Sequence, residues 1–271
     1  MDEPVIEVER LVTHYGSRRI LDEVDFSVEP GEIRVVMGGS GSGKSTLLRH
    51  LLGLNRATSG SIRLLGHDLA RTSARGLRHL RRRMGVSFQG GALFTSMTVG
   101  ENVALPLREH TRHDEQTIRI ISRMKLEVVN LGGFHDLMPA ELSGGMIKRA
   151  ALARAIVMDP QLLFFDEPSA GLDPVAAVEL DELILRLRDA MGMSMVVVTH
   201  ELESAFKIAD RITVLDRGKV LVTGTVDEVR NCALPRVQAL LNRAPGNEQV
   251  DAEEYLRRLT EEDYRMKGHW G

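Results

Sequence analysis

A glycine-rich run near the N-terminus has the residue types and the spacing of a phosphate-binding loop. Residues 38–46 match the pattern G-x-x-x-x-G-K-[ST] at every fixed position. Its glycines allow successive backbone N–H groups to point inward at phosphate oxygens. We expect Lys44 to reach the β- and γ-phosphates of a nucleotide and the hydroxyl of Ser45 to bind Mg²⁺. The run predicts a nucleoside triphosphate site made by Gly38, Gly39, Ser40, Gly41, Ser42, Gly43, Lys44, Ser45 and Thr46.

Two adjacent carboxylates follow an apolar, strand-like run later in the chain. Residues 162–165 read Leu-Leu-Phe-Phe, and Asp166 and Glu167 come next. A buried parallel strand that ends in two acids delivers them to its carboxyl end, where a phosphate loop of the same sheet also lies. We expect Asp166 to hold Mg²⁺, directly or through water, and Glu167 to orient and deprotonate the attacking water. The alternative is a pair of ordinary solvent-facing acids, which the phosphate loop in the same chain disfavours.

A second pair of glycines predicts a second anion site. Ser143, Gly144 and Gly145 precede a helical run rich in Ala, Leu and Arg. Serine is a good N-cap, and the glycines allow a phosphate to approach the start of the helix closely. One chain rarely needs two such sites for a single γ-phosphate. We therefore predict a head-to-tail homodimer, in which the second site of each chain completes the nucleotide pocket of the other.

The elements that must position these residues have the pattern of an α/β fold. An apolar β-branched run precedes the phosphate loop and a helical run follows it, which disfavours a chance match in a Gly/Ser-rich surface turn. Further apolar runs predict the strands of a buried, mostly parallel sheet, at residues 162–165, 195–198 and 212–215.

Two further segments complete the predicted architecture. Short alternating stretches at residues 5–8 and 24–28 indicate antiparallel strands beside the nucleotide core. Between about residues 90 and 158, β-branched runs are sparse and the pattern is mostly helical. The predicted fold class is therefore α/β, with a P-loop NTPase core, an antiparallel β subdomain and an inserted helical subdomain.

Composition limits the class of protein further. The 271 residues suffice for one large α/β domain with an insertion and a tail. The acidic first residues are followed by no secretory signal, and no window approaches 18 uninterrupted apolar residues. The single cysteine, Cys232, excludes an internal disulfide and is typical of a reducing cytosol.

Charge gives no general reason to expect nucleic acid as a partner, since the formal net charge is −3. One cluster of six arginines between residues 71 and 83 is a local exception, with Arg71, Arg75, Arg78 and Arg82 on one predicted helical face. A nucleic-acid patch or a lipid-headgroup contact is the alternative to a solvated helix face. No aromatic residues are interleaved with the arginines, so we favour the solvated face and predict no nucleic-acid partner.

The pattern divides the chain into an ATPase domain over residues 1–225 and a C-terminal extension over 226–271. The extension begins with chain breakers and ends in a charged, helix-like stretch from 251 to 266. Its apolar stripe is thin, so a helix there needs a surface to dock on. A dimer or partner contact and packing on its own domain remain equally open.

The order of the motifs resembles that of the ABC-transporter ATPase family. The phosphate loop, Gln89, Leu142-Ser143-Gly144-Gly145, Asp166-Glu167, the loop ending at Asp173, and His200 follow one another as in that family, and the resemblance covers about residues 5–225. It implies ATP and Mg²⁺ as ligands and Tyr15 as the aromatic that stacks on adenine. It further implies that Gln89 senses Mg²⁺ and the attacking water, that His200 contacts the γ-phosphate, and that Asp173 belongs to the loop between subunits.

One branch of the family is particularly similar. Residues 89–110, together with Met146 where the wider family usually has Gln, resemble the ATPase subunits of bacterial Mla-type phospholipid transporters. This resemblance implies a homodimeric motor at the cytoplasmic face of the inner membrane, bound to two permease subunits. It also implies a small STAS-domain protein and a lipid-binding mce-domain subunit as partners, in transport of phospholipids between the inner and outer membranes.

Two other functions stay open at this stage. An ATPase subunit of another importer, such as an amino-acid system, would carry the same catalytic motifs and would associate with a periplasmic solute-binding partner. A soluble ABC protein of DNA repair or translation would carry two tandem nucleotide domains or a long coiled coil between the motifs. This chain has a single set of motifs, so a soluble ABC protein of DNA repair or translation is disfavoured.

Overall fold

The structure is a computed structural model that describes residues 3–242, and it confirms the predicted α/β class. Its strands are β1 Ile6–Tyr15, β2 Arg18–Val28, β3 Ile33–Met37, β4 Ser59–Leu64, β5 His67–Asp68, β6 Met84–Ser87, β7 Leu162–Asp166, β8 Ser194–Val198, β9 Arg211–Asp216 and β10 Lys219–Gly224. Its α-helices are α1 Lys44–Leu51, α2 Ala74–Arg81, α3 Val99–His110, α4 Glu115–Val128, α5 Gly144–Ala155, α6 Pro174–Met191, α7 Leu202–Ile208, α8 Val226–Arg230 and α9 Pro235–Leu241.

A six-stranded sheet carries the predicted nucleotide site. Its order is β10-β9-β3-β8-β7-β6, and every pairing is parallel except that of β10 with β9. Strands β3 and β8 are buried along their whole length, as continuous apolar β-branched runs require when helices cover both faces of a sheet. Because these strands are parallel, their carboxyl ends and the loops that follow them lie at one edge.

A four-stranded antiparallel sheet of order β2-β1-β4-β5 lies beside this core, as the alternating segments predict. The inward side chains of β1 and β2 pack with α1 and with the parallel strands in one apolar cluster. Ile6, Leu21 and Leu64 from the antiparallel sheet share it with Leu47 of α1 and Phe164 of β7. The phosphate-loop helix is therefore held between the two sheets.

Helices α3, α4 and α5 occupy the segment for which a helical subdomain is predicted. Thr98 begins α3 with a reciprocal capping box, since its hydroxyl accepts from Glu101 N and the Glu101 carboxylate accepts from Thr98 N. The buried side chain of Asn102 then bonds the carbonyls of Phe94, Met97 and Thr98. These bonds fix the segment that joins β6 to α3.

The arginine cluster is only partly helical, which corrects the predicted face of four arginines. Ser73 caps α2, so Arg71 lies before the helix, and it pairs with Asp68 at 3.4 Å. Arg75, Arg78 and Arg82 are exposed, as a solvated face requires. The absence of a nucleic-acid partner stays a prediction.

The chain divides into one unit that ends at Cys232 and a second that begins at Ala233. Helix α9 belongs to the second unit. The stretch at 251–266, on which the predicted docking role of the extension depends, lies outside the described residues, and the boundary at residue 225 stays a prediction. Within residues 3–242, no helix combines the length and the apolar character needed to cross a membrane.

Candidate nucleotide-binding site

The phosphate loop leaves the carboxyl end of β3 and enters α1 through two glycines that have no room for a side chain. A Cβ at Gly38 would lie 2.1 Å from the Leu215 carbonyl oxygen, and one at Gly43 would lie 2.7 Å from Leu21 Cδ2. Gly43 is also the N-cap of α1, with φ +109°, and provides no side-chain cap. The loop therefore lies close to the backbone of β9 at Gly38 and against the Leu21 side chain at Gly43, and it leaves the start of α1 without a capping side chain.

This close approach predicts a large effect of replacing Gly38 by alanine. The added methyl group must displace the backbone of β9, so we expect a loss of about 3 kcal/mol of folding free energy and loss of nucleotide binding. Gly41→Ala is the matched control: its φ of +71° strains alanine, but its Cβ meets no atom within 4 Å, so the cost is about 1 kcal/mol. Chemical denaturation of both variants measures the difference in their free energies of unfolding. Equal stabilities would contradict the close approach of Gly38 to the backbone of β9.

Two polar groups in the loop fit a phosphate ligand. The buried hydroxyl of Ser42 has no hydrogen-bonding partner within residues 3–242. The Lys44 ammonium donates to the carbonyl oxygens of Gly38 at 2.7 Å and Gly39 at 3.0 Å, so it lies across the loop. Burial lowers the pKa of Lys44, while the negative charges of Glu167 and Asp166 oppose the shift. A half-buried cation and an unpaired hydroxyl group beside a helix N-terminus are groups that bind phosphates.

The carboxylate of Asp166 ends β7 at the same edge of the sheet. In register, Asp166 pairs with Val198 of β8, and Val198 pairs with Val36 of β3, so Asp166 lies two strands, about 10 Å, from the root of the phosphate loop. Burial and the neighbouring charge of Glu167 raise the pKa of Asp166, and the positive charges of Arg49 and Lys44 oppose this shift. A nearby cation stabilises the ionised form of a half-buried carboxylate whose pKa is raised.

Glu167 adopts a backbone conformation that is rare for a residue with a side chain. Its φ is +50°, and its N–H donates to the Val198 carbonyl oxygen at 2.8 Å. One carboxylate oxygen, Oε2, lies 2.9 Å from His200 Nδ1 and accepts from the His200 backbone N–H at 3.3 Å. The structure thus brings together the predicted base and the predicted γ-phosphate contact, from the ends of β7 and β8.

The position of Tyr15 is set by contacts between β1 and α1. Thr13 Oγ1 lies 2.7 Å from Nε2 of the fully buried His50, which fastens β1 to α1. Burial lowers the pKa of His50, in keeping with a neutral ring there. Two residues further along, the Tyr15 hydroxyl accepts from Asn55 Nδ2 at 2.8 Å, and nearly half of its side chain is exposed. The Tyr15 side chain is thus held by its hydroxyl group while part of it is exposed.

The three predicted Mg²⁺ ligands lie at or near the carboxyl edge of the parallel sheet. Ser45 is in the first turn of α1, Asp166 ends β7, and Gln89 is exposed two residues beyond the end of β6. Ser87 of β6 pairs with Phe165 of β7, which places the root of the Gln89 loop beside Asp166. A hydroxyl, a carboxylate and an amide oxygen are the hard donors that Mg²⁺ prefers.

The second predicted anion site has the expected helix start. Ser143 caps α5, its hydroxyl accepting from Met146 N at 3.3 Å. Ser143 and Gly144 are exposed, and a Cβ at Gly144 would meet no atom within 4 Å. Gly145 instead lies against α6, and Arg149 forms an ion pair with Glu179 of that helix. The start of α5 is therefore open to a ligand while its body is anchored.

Asp173, predicted to belong to the loop between subunits, also has a structural function. Its carboxylate accepts from the backbone N–H groups of Val175 and Ala176, both at 3.0 Å, and so caps α6. The loop that ends at Asp173 starts at Ser169, shortly after the carboxyl end of β7 and its two acids, Asp166 and Glu167.

Two residues that support the site, Gly218 and Lys148, were not predicted from the sequence. Gly218 lies in the turn between β9 and β10, donates to the Ser42 carbonyl oxygen at 2.9 Å and accepts from Asp22 N at 2.9 Å, so it braces the phosphate loop. Lys148 reaches the Glu167 carbonyl oxygen at 3.2 Å from within α5. The sequence features that could have identified them are a glycine between two strands, for Gly218, and a lysine inside an Ala- and Leu-rich helix, for Lys148.

A phosphate loop, paired acids at the neighbouring strand end and a capped Ser-Gly-Gly helix start together define an ATP-binding cassette ATPase. The family model described as ABC transporter matches residues 21–170. The chain belongs to this family and is one of its ATP-hydrolysing, ATP-binding subunits.

Individual relatives extend the similarity over almost the whole chain. The intermembrane phospholipid transport system ATP-binding protein MlaF of Haemophilus influenzae is 42% identical over 96% of this chain and 100% of that protein. A probable ribonucleotide transport ATP-binding protein, mkl, of Mycobacterium leprae is 42% identical over 88% of this chain and 68% of that protein. The fold is similar to a solved dimeric post-hydrolysis state of the ATP-binding cassette MJ0796 bound to ADP and Pi, with 29% identity, a TM-score of 0.75 and coverage of 82% of this chain and 98% of that one.

Proposed function

We propose that this chain is the ATP-hydrolysing motor of a transporter that moves phospholipids between the inner and outer membranes. The observation that carries the proposal is the 42% identity to the Haemophilus influenzae intermembrane phospholipid transport protein over the full length of that protein. The proposed site uses ATP with Mg²⁺. Its residues come from four places on the chain: Tyr15 at the end of β1, the phosphate loop, the carboxyl edge of the parallel sheet, and the start of α5.

In this proposal the residues of the site divide between binding the nucleotide, holding Mg²⁺ and activating water. The backbone of residues 38–46 and the Lys44 ammonium bind the phosphates, and Tyr15 stacks on adenine. Ser45, Gln89 and Asp166 would hold Mg²⁺, which neutralises phosphate charge. Glu167 accepts a proton from the attacking water, and His200, 2.9 Å from its carboxylate, aligns that carboxylate and contacts the γ-phosphate.

A homodimer is part of the proposal, because the predicted anion site at the exposed start of α5 would bind a nucleotide that a second copy of the chain holds. Ser143, Gly144 and Gly145 would bind the ATP held by the partner's phosphate loop. The first turns of α6, next to Asp173, expose Val175 by 68% and Val178 by 48%. Two exposed valines at i and i+3 form a small apolar surface, which a second copy of the chain would cover.

A permease contact is proposed for the segment after Gln89. The Phe94 ring is about half exposed, and its backbone is fixed by hydrogen bonds to Asn102 in both directions, at 2.7 and 3.0 Å. Exposed Phe88 and Leu54 add to the apolar area of the chain. Leu93 and Met97 are only half buried, so the same segment packs inward and offers a surface outward. A short permease helix is the proposed occupant.

The full assembly would lie at the cytoplasmic face of the inner membrane. It would contain two of these chains, the permease subunits, a small STAS-domain protein and a lipid-binding mce-domain subunit. The specific partners follow from the resemblance of residues 89–110 to Mla-type ATPases. ATP-driven closure of the two chains would move the permease helices that rest on Phe94 and its neighbours.

The experiment that tests the transported substrate is purification of the intact complex from the native membrane through a tag on this chain. We expect an mce-domain subunit, co-purified phospholipid, and ATPase activity that drives phospholipid transfer between vesicles. The same complex with Lys44→Ala is the control and should transfer no lipid. A ribonucleotide that stimulates the ATPase, or an amino-acid-binding partner in place of the mce-domain subunit, would contradict the proposal.

A further inference from the structure

Lys148 is a buried lysine whose charge the proposed chemistry does not use. It lies in the second turn of α5 and is only 9% exposed. Its ammonium donates to the Glu167 carbonyl oxygen at 3.2 Å, and within residues 3–242 this is its one hydrogen-bonding partner. Burial lowers the pKa of Lys148, an effect that the charge of Glu167 opposes. An ammonium with three donors and one acceptor is a costly group to bury.

The acceptor of this hydrogen bond is the strained peptide of the proposed base. Glu167 has φ +50°, and such a conformation persists only where several contacts enforce it. The Glu167 N–H donates to Val198, while its carbonyl oxygen accepts from Ala170 N at 3.3 Å and from Lys148. Of the two donors to this carbonyl oxygen, Ala170 lies in the loop after β7 and Lys148 lies in α5, so Lys148 is the contact from the helical segment.

We propose that Lys148 is a positioning residue that holds the Glu167 peptide, and through it the direction of the Glu167 carboxylate. The inference rests on the proposed function, in which Glu167 activates water. Helix α5 begins with Ser143–Gly145, the proposed contact with the partner's nucleotide. Lys148 therefore links the helix that senses the ATP held by one chain to the base that acts on the ATP held by the other.

The test compares three variants of the full chain in its native complex. Lys148→Met removes the donor and keeps an unbranched side chain one atom shorter. Lys148→Gln has the same number of chain atoms as Lys148→Met and keeps an uncharged donor, and Lys148→Arg keeps the charge. We expect Lys148→Met to lower kcat about 100-fold with KM for ATP nearly unchanged, because misdirection of the base affects the chemical step alone. Lys148→Gln and Lys148→Arg should each restore part of kcat.

A merely structural lysine would give a different result. Its replacement by methionine would leave kcat unchanged in a folded protein, since an apolar side chain of similar size suits a buried position. Equal kcat for the Met and Gln variants would also overturn the proposal, because it assigns the effect to the hydrogen bond. If Lys148→Met does not fold, the Lys148→Gln and Lys148→Arg variants are compared with the wild type instead. The inference is overturned if both of these variants keep the wild-type kcat, or if neither of them folds.

Failure of this inference and failure of the proposed function are distinguishable. If the wild-type complex shows no ATP hydrolysis that depends on Lys44, the proposed function is wrong and the positioning role is lost with it. If Lys44-dependent hydrolysis is present and the methionine variant retains wild-type kcat, only the role of Lys148 is wrong. Trapping of ATP-bound dimers adds a separate readout, which we expect Lys148→Met to preserve.

Discussion

Replacing Glu167 with glutamine is expected to slow ATP hydrolysis about 10²- to 10⁴-fold and to leave ATP binding intact. Glutamine keeps the size of the side chain and its hydrogen bond to His200, but it cannot accept a proton from water. The phosphate loop and Lys44 are untouched, so nucleotide affinity should change little. The bound ATP would persist, and with it the closed dimer.

Two measurements check this expectation. Steady-state ATPase assays give the loss of turnover, and size-exclusion chromatography with light scattering gives the ATP-dependent mass. Glu203→Gln is the matched control, because it makes the same chemical change at an exposed position of α7. A Glu167→Gln protein that hydrolyses ATP at the wild-type rate would remove Glu167 from the mechanism. One that stays monomeric with ATP would instead contradict the homodimer.

Lys44→Ala is expected to reduce ATP affinity at least about 100-fold and to abolish measurable hydrolysis. The lysine is the one side-chain cation of the loop, and each hydrogen bond from an ammonium to a charged phosphate oxygen contributes about 1.5–3 kcal/mol. Removing it should not destabilise the fold, because burial already lowers the pKa of Lys44 and its donors satisfy only loop carbonyls.

The Lys44→Ala variant should therefore lose affinity for ATP and keep its thermal stability. Calorimetric titration with ATP measures the affinity, and thermal melting without nucleotide should match or exceed that of the wild type. Lys207→Ala serves as the control, since that lysine is a third exposed and pairs with Glu182 far along the sequence from the loop. Wild-type ATP affinity in the Lys44→Ala protein would refute the assignment of the phosphate loop.

The fold class was predictable because its signals are local. The strands β3, β7, β8 and β9 are short apolar runs, which predict a buried, mostly parallel sheet. The order of these strands in the sheet is known from the structure alone. Ser143 and Asp173 were recognisable as helix caps, since a cap depends on three or four consecutive residues. The predicted arginine face began too early, at Arg71, because Ser73 and not the arginine pattern decides where α2 begins.

Long-range contacts at the site left no comparable trace. Lys148 and Glu167 are 19 residues apart, and Thr13 and His50 are 37 apart. A lysine in α5 fits a solvated helix face as well as a buried one, until α5 is docked against the end of β7. Likewise the φ of +50° at Glu167 is imposed by its neighbours and not by any preference of glutamate.

The sequence by itself determined family membership, and it predicted the chemistry: a phosphate loop, two acids and a second anion site. Those groups lie in contiguous motifs, whose side-chain types and backbone requirements are readable without the rest of the chain. Only the tertiary structure decided how they are held, with His200 against Glu167, Gly218 against Ser42 and Lys148 against the Glu167 carbonyl. Such contacts depend on which helix packs on which strand, and packing is set by the shape of the whole core.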